Sequence, residues 1–197
     1  LHITQALGGV QTYIATILKH SNKSKFQFGL ACPDSEFSLR SRLMGFKVYN
    51  IPFTREPNIV LDLISLIRTI VAIKDFRPDL IHAHSAKGGF IGRLAGKWIG
   101  AKTIFTPNGF SYLGYKGISR RFYLALERLA KILTDVLLAV SDSERTRAEI
   151  DLGYDSQMVK VVPNSIDVNA RTQISVSHRR ALQVGMIGRL VYQKNPE

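Results

Sequence analysis

Short apolar runs alternate with stretches of helical periodicity from Leu1 to about Asn164, and no other feature restricts the fold so tightly. LHIT (1–4) has the composition of a strand end. Gly8 and Gly9 follow, and then Val10, Tyr13, Ile14, Ile17 and Leu18 recur at the spacing of one helix face. FQFGLAC (26–32), KVYNIPF (47–53), DLIHAHS (79–85), KTIFTP (102–107), VLLAVS (136–141) and VKVVPN (159–164) read as further strands. Helices are expected between them: a short one through Leu39, Leu43 and Met44, then 58–76, 88–100, 119–135 and 142–152. The strand runs are mostly apolar throughout, as strands covered on both faces are. The pattern predicts an α/β fold with a doubly wound parallel sheet.

In such a sheet, ligands gather at the carboxyl ends of the strands. Gly8-Gly9 sits at the first of these ends, where glycines let backbone N–H groups approach an anion; a plain tight turn is the other reading. The pair is not a G-x-G-x-x-G dinucleotide fingerprint. HAHSAKGG (82–89) closes the fourth strand. By alternation His82 and His84 share a face. His82 is expected to be a satisfied core histidine. His84, nearer the strand end, is either a general base or packing, and Lys87 either a ligand cation or a surface charge. Ser85 and the glycines after it lead into a helix. Two histidines at i, i+2 with no acid or cysteine clustered nearby do not call for a metal. TPNGFSYLGYKG (106–117) follows the fifth strand, with Asn108 held between Pro107 and Gly109 and a tail rich in glycine and tyrosine. It is expected to be a mobile binding loop, or a simple turn with Asn108 in a left-handed conformation.

The 197 residues carry a formal charge of +12, with 45% hydrophobic and 21% charged residues. That composition fits a folded chain with a core and argues against disorder. The charge points to an anionic partner: phosphorylated ligands, an acidic membrane surface or nucleic acid. No nucleic-acid motif and no aromatic–basic platform is present, which argues against the last. Helix 119–135 is expected to place Phe122, Leu126, Leu129 and Leu133 in one arc, opposite Arg120, Arg121, Arg128 and Lys131. Such charges usually form a solvated face; the other reading is a surface that meets anionic lipid, since Leu124 falls inside the basic arc and an exposed leucine among cations fits shallow insertion.

Cys32 is the single cysteine, so no disulfide can form within the chain and a cytoplasmic location is expected. The greasiest stretch, 59–73, is interrupted by Asp62 and Arg68 and is shorter than the roughly 20 apolar residues of a spanning helix. The first residue is Leu, so the natural N-terminus is expected to lie upstream. Residues 1–167 are expected to form one domain, 168–180 a polar linker, and 181–197 the start of a second domain. In that last segment Arg189 and Lys194 follow a strand; a fork-shaped and a point cation suit a diphosphate, but a Gly-Arg…Lys spacing is common and taken alone reads as ordinary surface charge.

Taken in order, LGGVQTYI (7–14), PDLIHAHSAKGGFIGRLAG (78–96), FTPNGFSY (105–112), AVSDSERTRAEI (139–150), VVPNSID (161–167) and VGMIGRLVYQKNPE (184–197) resemble the family-4 retaining glycosyltransferases of GT-B fold. The resemblance is to the polysaccharide and lipopolysaccharide biosynthesis type. It implies two Rossmann-like domains facing across a cleft, the first holding the acceptor and the second the nucleotide-sugar. It implies transfer of a hexose or acetamidohexose to a lipid-linked or saccharide acceptor, with retention and without a metal or other cofactor. Arg189 and Lys194 would contact the donor diphosphate, and Gly8 and Gly9 would face it across the cleft. Asn108 stands where the family often carries a histidine near the transferred sugar. Asn can hydrogen-bond but cannot act as a base near neutral pH. With His84 it forms the expected catalytic set, and Ser85, Lys87 and Tyr112 the expected acceptor-binding set. The family's paired glutamates do not occur here, so these residues alone are expected to be inactive. A nucleotide-sugar epimerase of the same fold is the alternative, with a basic nucleic-acid module the remote one.

Overall fold

The computed structural model describes residues 1–5 and 8–165. The expected linker 168–180 and second-domain start 181–197 lie outside the described residues.

Seven strands form one parallel sheet: β1 (His2–Thr4), β2 (Gly29–Cys32), β3 (Lys47–Asn50), β4 (Leu80–His84), β5 (Lys102–Thr106), β6 (Val136–Ala139) and β7 (Val159–Val161). Their order is β3-β2-β1-β4-β5-β6-β7, a doubly wound α/β sheet as the alternation predicts. The connecting helices are α1 (Gly9–His20), α2 (Glu36–Leu43), α3 (Ile59–Phe76), α4 (Ala86–Ile99), α5 (Gly117–Ala130) and α6 (Asp142–Ile150). Tyr13, Ile14 and Leu18 of α1, with Phe37 of α2, pack on Leu30 and Cys32. Burial there pushes the Cys32 thiol up to about 12. On the other face, α3 and α4 place Ile73, Ile91 and Ala95 against Ile3, Ala31 and Ile81. Phe105, Leu137 and Val159 carry a second cluster there with Ala148 of α6 and Leu152.

Local chemistry sets the helix ends. Asn58 caps α3 by accepting from the Leu61 N–H at 3.0 Å, and Arg77 ends it in a left-handed conformation just before Pro78. Close packing of α4 on β1 depends on Gly88, where a Cβ would lie 2.7 Å from the Gln5 backbone nitrogen. Among the described residues, no helix is long and apolar enough to cross a membrane.

Helix α5 departs from expectation. It ends at Ala130 and tightens into a 3-10 turn over Lys131–Leu133, where the Ala130 carbonyl accepts from Arg93 Nη1 and Thr134 Oγ1. Its orientation differs too. Glu127 and Ala130 face inward, while Phe122 and Leu129 are exposed beside Arg121 and Arg128. Leu124, expected outside, packs against the Phe105–Leu137 cluster. The cause is a buried ion pair, Arg93–Glu127 at 3.2 Å, which turns an acidic side chain toward the sheet.

Candidate functional site

Strand order reverses direction between β1 and β4, so the loops leaving these two neighbours diverge and open a crevice at their carboxyl ends. Thr4, His84 and Thr106 lie in register across β1, β4 and β5, which brings Gly8, Ser85 and Asn108 to one edge of the sheet. Gly8 turns the chain into α1 at φ 80°, ψ −127°, a conformation only glycine adopts without strain, and as the cap residue it brings no side chain to that helix. Gly8 and Gly9 are both exposed. Ser85 precedes α4 at φ 61°, ψ −170°, also without capping it by its side chain. For a residue with a Cβ this is a strained position, of the kind that collects at functional sites. Gln5, which sequence reasoning missed, accepts the Gly88 N–H through its Oε1 at 2.8 Å and ties the two loops together. Two helix N-termini thus meet at the crevice, where their dipoles favour an anion.

The segment after β5 is built, not loose. Asn108 is left-handed at φ 52°, and its Nδ2 donates to the Thr106 carbonyl at 3.3 Å. Three carboxylates hold the residues that follow. The Gly109 N–H donates to Glu144 Oε1 at 2.8 Å, Ser111 Oγ to Glu127 Oε1 at 3.2 Å, and the Tyr112 hydroxyl to Asp151 Oδ2 at 2.6 Å. Of the two readings of this segment, the turn with a left-handed Asn108 is the one the structure shows. Tyr112, expected at the acceptor, is fully buried, because its ring belongs to the Phe105–Leu137 cluster and its hydroxyl is engaged by Asp151. Desolvation, then Asp151, raises that phenol above its ordinary range.

Lys87 is likewise committed. Its Nζ pairs with Asp62 at 2.6 Å and donates to Thr54 Oγ1 and the Glu56 carbonyl, strapping the start of α3 to α4. An acceptor cannot use that ammonium without displacing these partners. None of these anchors was visible in the sequence, since Asp62, Glu127, Glu144 and Asp151 arrive from distant positions. One signal existed: Ser141-x-x-Glu144 is a capping-box pattern.

His84 is the clearest departure. It is fully buried beneath α1, and Tyr13 packs edge-on at 5.9 Å between ring centroids. Its Nε2 lies 3.0 Å from His2 Nδ1, so it does not reach the crevice as a general base must. His82, a core histidine as expected, contacts Thr106 Oγ1 at 2.7 Å. Burial, then neighbouring imidazoles, lowers His2 and His84 well below their ordinary pKa, and burial lowers His82 to about 3. One ring nitrogen from each of the three lies within 4.8 Å of the others, which raises the question of a metal. The geometry is that of a hydrogen-bonded stack. His82 and His84 overlap at 4.0 Å and 32° between ring planes, beside the His2–His84 contact. No acid joins the group among the described residues. The structure brings Gly8, Gly9, Ser85 and Asn108 together; Arg189 and Lys194 lie outside the described residues.

Comparison with known proteins places this arrangement. The family model for Glycosyltransferase Family 4 matches residues 7–170. An Escherichia coli UDP-Gal:alpha-D-GlcNAc-diphosphoundecaprenol alpha-1,3-galactosyltransferase is 26% identical over 203 residues, covering 96% of this chain and 52% of that protein. The E. coli O-antigen biosynthesis glycosyltransferase WbnH is 27% identical, covering 97% and 54%. The chain therefore spans about half the length of the curated relatives it matches. Among solved structures, Anabaena Alr3699/HepE in complex with UDP and glucose superposes with a TM-score of 0.65 at 19% identity, over 85% of this chain and 44% of that one. A UDP-N-acetylglucosamine 2-epimerase also superposes, with a TM-score of 0.53 at 10% identity, over 76% of this chain and 41% of that one. At these identities the structures speak for the fold alone, which transferases and epimerases share. The family match covers most of the sequence: this chain belongs to Glycosyltransferase Family 4.

Proposed function

We propose that the protein moves a hexose or acetamidohexose from a nucleotide-sugar to a lipid-linked or saccharide acceptor during cell-surface polysaccharide synthesis, with retention of configuration. The observation that carries this is the crevice at the β1/β4 switch, where α1 begins at Gly8 and α4 at Ser85, neither cap residue bonding its helix through a side chain, while Gln5 Oε1 takes one α4 donor, the Gly88 N–H. Such a site suits phosphate. Family membership supports sugar transfer, and the E. coli relative named for a diphosphoundecaprenol acceptor supports a lipid-linked one.

Leaving-group charge is then stabilised by fixed protein dipoles and cations, with no metal or other cofactor in the step. The α1 N-terminus at Gly8–Gly9 acts from this side, and Arg189 and Lys194 from the donor side. Asn108 orients the sugar through hydrogen bonds. The anionic donor and acceptor account for the basic charge. An acceptor held in a bilayer places the enzyme on the cytoplasmic membrane face, with exposed Ile118, Phe122 and Leu129 of α5 beside its arginines at the lipid.

The test uses the full-length protein with UDP-sugars and a polyprenyl-diphosphate-linked acceptor, reading product anomer by NMR. Transfer with retention is expected. Arg189→Ala should lower kcat by about 10²-fold or more, the usual cost of losing one preorganised charge stabiliser. Undiminished turnover in that variant, or an altered free nucleotide-sugar formed without acceptor, would remove the assignment.

A further inference from the structure

We propose that Glu144 is a positioning residue for sugar transfer: its carboxylate fixes the Asn108–Gly109 peptide at the mouth of the crevice. The inference rests on the reading above that Asn108 faces the transferred sugar. Glu144 is 6% exposed and stands in the first turn of α6. Its backbone N–H donates to Ser141 Oγ at 3.2 Å, as in a capping box. In the usual box, the acid would then turn back to the backbone N–H of the cap residue. Here it does not. Oε2 accepts the Val140 N–H at 2.8 Å, one residue earlier, and Oε1 accepts the Gly109 N–H at 2.8 Å, 35 positions away.

One buried carboxylate therefore joins the end of β6 to the turn after β5. The geometry has a directional consequence. In a trans peptide the C=O and N–H point opposite ways. With the Gly109 N–H aimed at Glu144, the Asn108 carbonyl is aimed away from it. The same bond anchors the turn in which Asn108 is left-handed at φ 52°, a conformation that Asn tolerates better than most residues with a Cβ. Burial pushes the carboxyl up, and the two amide donors oppose that shift by favouring the ionised form. Ser111 and Tyr112 are anchored separately, by Glu127 and Asp151, so losing Glu144 frees the Asn108 turn and leaves the rest of the segment tied.

The experiment compares Glu144→Gln, Glu144→Ala and Asn108→Ala in the full-length enzyme. Ile73→Ala serves as a stability control, since Ile73 lies in the α3 core away from the crevice. Amide hydrogen exchange at Gly109 is measured beside steady-state kinetics. Exchange at Gly109 should quicken in Glu144→Ala by about tenfold or more, since an unpaired amide in a turn opens freely. Turnover should fall about 10²-fold in Glu144→Ala, the scale of a reacting group displaced by about an ångström. The donor KM should stay nearly unchanged. Glu144→Gln keeps one carbonyl acceptor and should recover part of both effects. Ile73→Ala should lose thermal stability and keep kcat. Reduced turnover in Asn108→Ala beside full turnover in both Glu144 variants would overturn the inference and leave the site reading standing. Full turnover in Asn108→Ala would remove the site reading and the inference with it. Losses in the Glu144 variants that only follow their melting temperatures, as in the control, would also overturn it.

Discussion

A histidine kept neutral by burial makes a protein sensitive to acid, and this chain stacks three of them. Burial lowers His2, His82 and His84, with His82 brought down to about 3, whereas the unfolded chain takes up these protons near pH 6.5. Below that pH the unfolded state holds more protons, so stability falls as pH falls, by up to about 1.4 kcal/mol per pH unit for each group. Glu144 works the other way, because its raised pKa makes the folded state the better proton binder, but it is one group against three. Urea midpoints should therefore drop from pH 7 to pH 5, and His84→Gln should flatten that slope; a midpoint that stays level would contradict this account. The pair His82 and His84 was legible as a common face by simple alternation. His2 was not, because the third member comes from β1, which only the parallel register places beside β4. The same reason explains Lys87 and Tyr112. Residue type suggested ligand contacts, but the acids that occupy them, Asp62 and Asp151, are non-local.

Among the elements, α5 shows how one buried charge overrides a periodic pattern. The helix was expected from its leucine spacing, and its existence holds. Its facing does not follow from that spacing, because Arg93 lies fully buried on α4 and draws Glu127 inward. Arg93 stacks on Phe105 with its guanidinium carbon 3.7 Å from the ring centroid, and donates to the Gly89 carbonyl, Thr134 and Tyr154 as well. A hydrophobic arc counted on a helical wheel cannot register a partner on another helix. Glu127→Gln should strand that guanidinium and cost about 3–5 kcal/mol. The double change Arg93→Met with Glu127→Leu should recover most of the loss, both read by urea unfolding. Equal stability of Glu127→Gln and the parent would mean the pair does not hold the helix. The strand–helix order itself was legible because each apolar run had to be buried on both faces. Strand ends were set by pairing, so β3 stops at Asn50 and not at Phe53.

At the scale of the molecule, charge and exposed apolar surface act together. Alongside the formal +12, α5 exposes Ile118, Phe122 and Leu129, and α3 exposes a ridge of Ile59, Leu63, Ile67 and Val71 spaced one turn apart. An amphipathic surface with cations nearby binds anionic lipid through both effects. Sedimentation with phosphatidylglycerol vesicles should capture the protein. Phe122→Ser combined with Arg121→Glu should weaken capture several-fold without changing the fold by circular dichroism. Equal capture by neutral vesicles would remove the electrostatic part of this reading. A domain of this kind is stable by only about 5–15 kcal/mol in total. The backbone at Ser85 alone gives up about 1–3 kcal/mol of that, at an angle glycine would take freely. Selection for durability alone would have erased that serine. A more heat-resistant version of this protein is thus one substitution away, and the same substitution would strip the hydroxyl from the mouth of its crevice.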